Sequence, residues 1–507
     1  MSRARAIPSR VPLPRVRRPS LRAIRRIPRP LALLLVVAAL LSGAWSLATA
    51  QMQGPDEMDH IAYVAHLAET GKIPSATGGK AAYAPDQAHA LYDDGWLRLL
   101  ENRAVRPPWS ALSERSYRSF EDALPSGAPG LGDGPNSVGK NPPLYYVYEA
   151  IGWKLTPAGH FFGRIFVLRA FSGLLLLALV TFTWLLAGEV FRRRLPQTVA
   201  AGVVALLPMN GFMSGIVNPD IMLAAIYSLF LWTAVRTCRL GLTWQRAVGL
   251  SVITVAAVLT QGRGLALVPV LPVALIVAWL RHRQPLRDTI VSAASAGATV
   301  VAGFVVYRLA SAAAGGGAAL YGGEVNLGNS SVFNVRQMLS GIWQFYLPKL
   351  DQMAPRIGPA IGYRQMFVQQ YFAGVFSSFD VYFPYWVYDL VQIGAAIGLL
   401  ALYTVALLRW RAVVARWAPA IILATTALVL LLFLHVASYR ALVNGSNNPL
   451  IVGRYLLPLG PILGVAAGTV LAGLPRRAAA AVGALLLAGL LMLSLGGLGL
   501  SLERFYA

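Results

Sequence analysis

The sequence predicts an all-α, polytopic membrane protein of about 11 transmembrane helices, with interfacial helices in two large outer loops. Three observations carry this. Hydrophobic residues make up 56% of the 507 and charged residues only 13%, with a mean hydropathy of +0.57. That is too little charge to cover a soluble domain of this length. The apolar residues fall in runs of about 20, the length that crosses a hydrocarbon core as a helix. Arginine clusters between the runs fall consistently on one side.

Residues 1–30 hold ten arginines and no acid before the first apolar run. The positive-inside rule places this segment in the cytoplasm. Pro8, Pro12, Pro14, Pro19, Pro28 and Pro30 argue against a folded domain there. It reads as a disordered basic tail touching anionic lipid heads, so the net charge of +23 calls for membrane lipids and not for nucleic acid. The run 31–50 resembles a secretory signal, but it is long enough to span and further spans follow. An uncleaved signal anchor is therefore expected.

Further spans are expected near 164–190, 198–214, 219–237, 246–260, 265–280, 289–310, 385–408, 417–437, 450–472 and 478–499. Residues 31–310 would form a transmembrane module that includes the outer loop 51–163. A second outer loop covers 311–384, and C-terminal helices fill 385–500. The apolar stretch 142–157 is short and opens with a proline pair, so it reads as an interfacial or re-entrant helix. On that count Arg192–Arg194, Arg236, Arg239, Arg246, Arg281, Arg283, Arg287, Arg409, Arg411, Arg416, Arg476 and Arg477 all face the cytoplasm. Of the 21 acids, all but Glu189 and Asp288 fall on the outer side. Cys238 is the one cysteine, which excludes an intramolecular disulfide and a cysteine-based metal site.

The densest polar cluster follows the first span: Pro55, Asp56, Glu57, Met58, Asp59 and His60. If a helix begins near Pro55, Asp56 and His60 share a face at i and i+4, with Glu57 beside them. Taken alone, this reads as a solvated first turn whose acids suit the helix dipole. Three more polar groups sit at the same face of the membrane. They are Asn218-Pro219-Asp220, Gln261-Gly262-Arg263-Gly264 and Gly453-Arg454-Tyr455. An arginine at membrane depth needs a carboxylate or a phosphate partner. Either arginine alone reads as snorkelling or as pairing with Asp56 or Asp220. Four such motifs converging on one face read as a shared site. Asn141-Pro142-Pro143-Leu144-Tyr145-Tyr146 closes the first outer loop and, by itself, only shapes it.

Taken in order, these motifs resemble the GT-C superfamily of membrane glycosyltransferases. More closely, they are similar to its bacterial branch of predicted membrane proteins of unknown function. The matching stretches are Pro55–His60, Asn141–Tyr146, Asn218–Asp220 and Gly453–Pro458. The resemblance implies an enzyme of the bacterial cytoplasmic membrane, with its active site on the outer face. It would take a sugar from a polyprenyl-phosphate donor and pass it, with inversion, to a hydroxyl of a glycan or lipid acceptor of the cell envelope. It implies Asp56 as general base, with Glu57 as the other candidate. Arg263, Arg454 and His60 would hold the donor phosphate. Tyr145, Tyr146, Asn218, Asp220, Gln261 and Tyr455 would line the substrate path. No cofactor and no metal is expected, although some members of the superfamily use a divalent cation. The Ala-, Arg- and Leu-rich composition suggests a high-GC genome, which makes decaprenyl-phosphate arabinose or mannose the donor expected for the cell wall.

Two other functions compete. A transporter or flippase of a lipid-linked substrate would also hold arginines and acids in a membrane cavity. Such proteins place their site near the midplane, within repeats, and no internal symmetry is visible here. A polysaccharide polymerase or ligase shares the donor class and the outer-face chemistry.

Overall fold

The computed structural model describes residues 27–507 apart from 75–82, 109, 125–137, 140, 157–159, 314–332, 360 and 447–449. The basic tail up to residue 26 and the early part of the loop expected over 311–384 lie outside the described residues.

Helix α1 (Arg29–Ala48) starts after Pro28 and runs 20 residues, about 30 Å. Leu31, Leu34, Ala38, Leu41, Trp45 and Ala48 are buried at helical spacing, while Leu33, Val36, Leu40 and Leu47 face outward. One stripe packs on the bundle and the other meets lipid. The first long loop carries α2 (Glu57–Thr70), α3 (Pro85–Ala88), α4 (Arg98–Glu101), α5 (Ala111–Ala123) and α6 (Leu144–Leu155). At 12 residues, α6 is about 18 Å long and too short to cross.

The bundle continues with α7 (Phe161–Val190), α8 (Arg194–Leu206), α9 (Pro208–Ser214), α10 (Asp220–Leu240), α11 (Trp244–Thr260), α12 (Leu267–His282) and α13 (Leu286–Ala313). Helices α8 and α9 meet at a 55° bend. Its cause is local. Pro208 has no N–H to offer the carbonyl of Val204 four residues back, and the Asn210 side-chain amide donates to that carbonyl instead at 2.7 Å. The second long loop carries α14 (Val335–Tyr346), a π-helix over Arg364–Gly374 and a two-stranded antiparallel hairpin. Strands β1 (Val375–Phe376) and β2 (Val381–Tyr382) pair Val375 with Tyr382 and Phe376 with Val381. Then come α15 (Tyr385–Leu408), α16 (Trp410–Ala415), α17 (Trp417–Val443), α18 (Gly460–Gly473) and α19 (Arg476–Tyr506). Among the described residues, helix α15 buries only Tyr388, which leaves its apolar surface to lipid.

Among the described residues, nine helices are long and apolar enough to cross a membrane, or ten with the α8–α9 pair counted as one span. The expected number was about 11. The difference lies in α11, whose 17 residues reach only about 25 Å. One hydrophobic core runs through α1, α7–α12, α17 and α18, and a second lies beneath the first long loop around Ile61, Tyr63, Trp96 and Trp153. The arginine clusters gather at one end of the bundle, where Arg236 and Arg239 pair with Glu189 and Arg409 donates to the carbonyl of Gly473. The long loops pack at the other end, over the candidate site.

Candidate active site

The site is assembled around a buried ion pair. Arg169, two turns into α7, and Glu57, the first residue of α2, are both fully buried. The guanidinium grips both Glu57 oxygens at 2.8 Å, through Nε and Nη2. Its remaining N–H groups reach the carbonyls of Ser46, Thr49 and Ala50 at 2.7, 2.8 and 3.0 Å. Glu57 also accepts from the backbone N–H of Gly54 and of Val217, both at 3.0 Å. The pair therefore fixes the end of α1 through Arg169, and the turns into α2 and α10 through Glu57. A buried pair holds only when its hydrogen bonds are satisfied in this way.

Asp56 behaves differently. The helix begins at Glu57, two residues beyond the start expected near Pro55, and Asp56 is its N-cap in the left-handed region, φ 58°. Its side chain therefore leaves the helix face and is half exposed. Asp is among the few residues that adopt this conformation readily. Its Oδ2 accepts from Arg454 Nη2 at 2.7 Å. Partial burial pushes the carboxyl up, but Arg454, with His60 and Arg263 beyond it, outweighs this and holds it below the usual range.

Arg454 lies in the 3₁₀ turn Gly453–Leu459 that leads into α18. Its Nε stands 3.7 Å from Asp220 Oδ2, close enough for attraction but too long for a hydrogen bond. Asp220 opens α10 and accepts from Arg263 Nη2 at 2.5 Å. Arg263 sits in a second 3₁₀ turn, Gly262–Ala266, with its guanidinium 3.6 Å from the Tyr455 ring centroid. Two glycines make this approach possible. A Cβ at Gly264 would lie 2.1 Å from the Ala257 carbonyl oxygen, and one at Gly453 would lie 2.4 Å from Gln370 Cβ. The Gly453 N–H is held by Gln370 Oε1.

Among the described residues, both arginines retain N–H donors that make no hydrogen bond. Arg263 Nε and Nη1, Arg454 Nε and Asp220 Oδ2 are buried and, among the described residues, have no hydrogen-bond partner. Gln261 Oε1, at the mouth of the same turn, also has none. Orphaned donors of this kind carry a penalty that an anion in contact with them would remove.

His60 closes the other side. Asn218 is oriented by accepting the Asp220 N–H at 3.0 Å, so its amide donates to the Pro55 carbonyl and to His60 Nε2 at 3.1 and 3.3 Å. The hydrogen-bond network thus assigns the His60 proton to Nδ1, which donates to Tyr146 Oη at 2.9 Å. Burial lowers the imidazole to about 4, with the cation of Arg454 acting the same way against nearby acids, so His60 is neutral. Tyr146 also accepts from Asn141 at 3.0 Å and stacks on Tyr63 with ring centroids 3.6 Å apart.

Of the residues singled out in the sequence, the structure brings together Asp56, His60, Tyr146, Asn218, Asp220, Gln261, Arg263, Arg454 and Tyr455. Tyr145 turns away, meeting Ser172 Oγ at 2.9 Å within a buried group that includes Glu149. Glu57 is occupied by Arg169. Among the described residues, no three histidine, cysteine or acidic side chains stand together as metal ligands. The sequence did not single out Arg169 or Gln370. Arg169 carried a signal, an arginine inside an apolar run. Gln370 carried none.

Residues 39–463 match the model of a family described as predicted membrane protein (DUF2142). No curated protein matches. Among solved structures, apo ArnT from Cupriavidus metallidurans is similar at 15% identity and a TM-score of 0.46, over 88% of this chain and 60% of that one. The same protein bound to undecaprenyl phosphate gives 16% and 0.44, over 88% and 61%. The apo oligosaccharyltransferase of Archaeoglobus fulgidus gives 14% and 0.47, over 94% and 55%. The chain thus spans less than two thirds of the solved proteins it resembles.

Proposed function

This chain belongs to the DUF2142 family of predicted membrane proteins, and we propose that it is a GT-C type glycosyltransferase using a polyprenyl-phosphate sugar. The observation that carries this reading is the buried guanidinium of Arg263, with two donors unpartnered among the described residues, beside Arg454 and the half-exposed Asp56 carboxylate. Two cations with spare donors suit a lipid-linked phosphate, and a carboxylate at its edge suits a base for an acceptor hydroxyl.

In this mechanism the sugar phosphate lies against Arg263 and Arg454. The acceptor oxygen attacks the anomeric carbon while Asp56 takes its proton. The bond from that carbon to the phosphate oxygen breaks, and its electron pair passes to the phosphate. The two guanidiniums stabilise the charge that develops there. The displacement inverts the anomeric centre. Neutral His60 keeps Asn218 and Tyr146 in place and adds no charge of its own. Because arginines supply the positive charge, the reaction is read as needing no divalent cation. Gln261 and Tyr455 border the phosphate, and Asn218 and Tyr146 border the acceptor side. Asp220 balances the two arginines.

By the positive-inside rule the arginine clusters support a cytoplasmic N-terminus and, at the opposite end of the bundle, a site at the outer face of the bacterial inner membrane. Envelope glycans or lipids are the acceptors met there, and arabinose and mannose are the sugars we would test first. The test incubates purified protein with a panel of polyprenyl-phosphate sugars and candidate acceptors and follows release of free lipid phosphate. Release with one sugar supports the reading. Passage of an unaltered lipid-linked sugar across liposomes containing the protein would replace it with transport.

A further inference from the structure

Resting on the reading of Asp56 as the base, we infer that Arg504 is a positioning residue that sets the Asp56 backbone from the far end of the chain. Arg504 is buried at the end of α19 and holds both long loops at once. Its Nε donates to Asp380 Oδ2 at 2.8 Å, in the turn of the β1–β2 hairpin. Its Nη1 and Nη2 donate to the carbonyls of Val105 and Leu99 at 3.0 and 2.8 Å, in the first long loop.

Both loops then converge on Gln53, three residues before Asp56. From the hairpin turn, Ser377 Oγ and Ser378 Oγ donate to the Gln53 carbonyl at 3.1 and 3.2 Å. On the other side, the Gln53 amide donates to the carbonyl of Trp96 at 3.2 Å, three residues before Leu99. Arg504 thus closes a ring that clamps Gln53 through two separate loops.

The backbone inside this ring is unusual. Met52 and Asp56 have φ of 62° and 58°, and Ser377 and Phe379 have 53° and 66°. Asp takes up this region readily, but Met52, Ser377 and Phe379 stay there only where the surroundings over-determine them. Glu57 fixes one side of the Asp56 turn through Gly54, and the ring fixes the other. Without Arg504, Asp380 loses its cation and the hairpin turn its tether, Gln53 loses a backed partner, and Asp56 regains backbone freedom.

Hydrogen exchange of the full chain in nanodiscs tests this. Arg504→Gln is expected to speed exchange over 53–59 about tenfold, together with 98–106 and 375–382. Faster exchange in those two loops with 53–59 unchanged would overturn the inference. Should Arg504→Gln fail to fold, the double variant Ser377→Ala, Ser378→Ala leaves every Arg504 contact in place. It is expected to speed exchange over 53–59 with 98–106 unchanged, and protection as in wild type would overturn the inference equally. With a donor that the wild type turns over, either variant should lower kcat about tenfold with KM for the donor within about twofold. The exchange result stands or falls without turnover, so failure of the glycosyltransferase reading and failure of the clamp are seen separately.

Discussion

Arg454 donates to Asp56 at 2.7 Å and stands 3.7 Å from Asp220, so a single guanidinium lies between two carboxylates. It both lowers the basicity of Asp56 and offers charge to a phosphate. Replacing it with glutamine removes the charge that holds Asp56 below the usual carboxylate range. The folded-state value should then rise. Since the base acts when ionised, the acid limb of the kcat/KM profile should move to higher pH in Arg454→Gln. A pH–rate profile of wild type and variant checks this, and an unmoved limb contradicts it.

Asp56 and Glu57 are neighbours with opposite duties. Glu57 is fully buried against Arg169, so Glu57→Gln leaves an uncompensated buried guanidinium, which costs about 3–5 kcal/mol. Its thermal midpoint should fall by many degrees in detergent. Asp56→Asn, at a half-exposed position, should leave the midpoint nearly unchanged. Thermal unfolding of the two variants side by side tests this division. Equal destabilisation would contradict it.

Arg263 donates to Asp220 and, among the described residues, keeps two donors without a hydrogen-bond partner. Arg263→Gln should weaken binding of undecaprenyl phosphate about tenfold or more, as expected for loss of a charge-assisted contact. Titration of the lipid into detergent-solubilised protein measures it. Unchanged affinity would remove Arg263 from the phosphate site.

His60 has a folded value of about 4 against 6.5 when unfolded. The unfolded chain therefore binds a proton first as pH falls. The stability that comes from keeping His60 neutral is complete above pH 6.5 and is lost between 6.5 and 4. His60→Gln should be less sensitive to pH across that window than the wild type. Midpoints measured at several pH values decide it, and parallel curves would show that His60 is not the group responsible.

Much of the architecture was legible because hydrophobic runs and arginine clusters are dictated by the bilayer itself. The short α6 could be read from its 12 residues and its proline pair. The bend at Pro208 was hidden inside one apolar run, where neither the kink nor the Asn210 side chain that satisfies Val204 has a compositional mark. At the site, four motifs distant in sequence did come together, since each carried charge where charge is costly. The sequence did not separate Asp56 from Glu57, because adjacent carboxylates differ only in what the fold sets beside them. Nor did it show that Tyr145 faces Ser172, that Gln370 holds Gly453, or that two serines from the second long loop hold Gln53. Such contacts depend on tertiary placement and leave no periodicity to read.

Single-turnover release of lipid phosphate from wild type and Asp56→Asn, with donor binding measured on the same samples, tests Asp56 as the base at a polyprenyl-phosphate sugar site. Asp56→Asn should lose at least about a hundredfold in transfer rate while keeping its donor affinity. Transfer at the wild-type rate in Asp56→Asn would show that another group is the base.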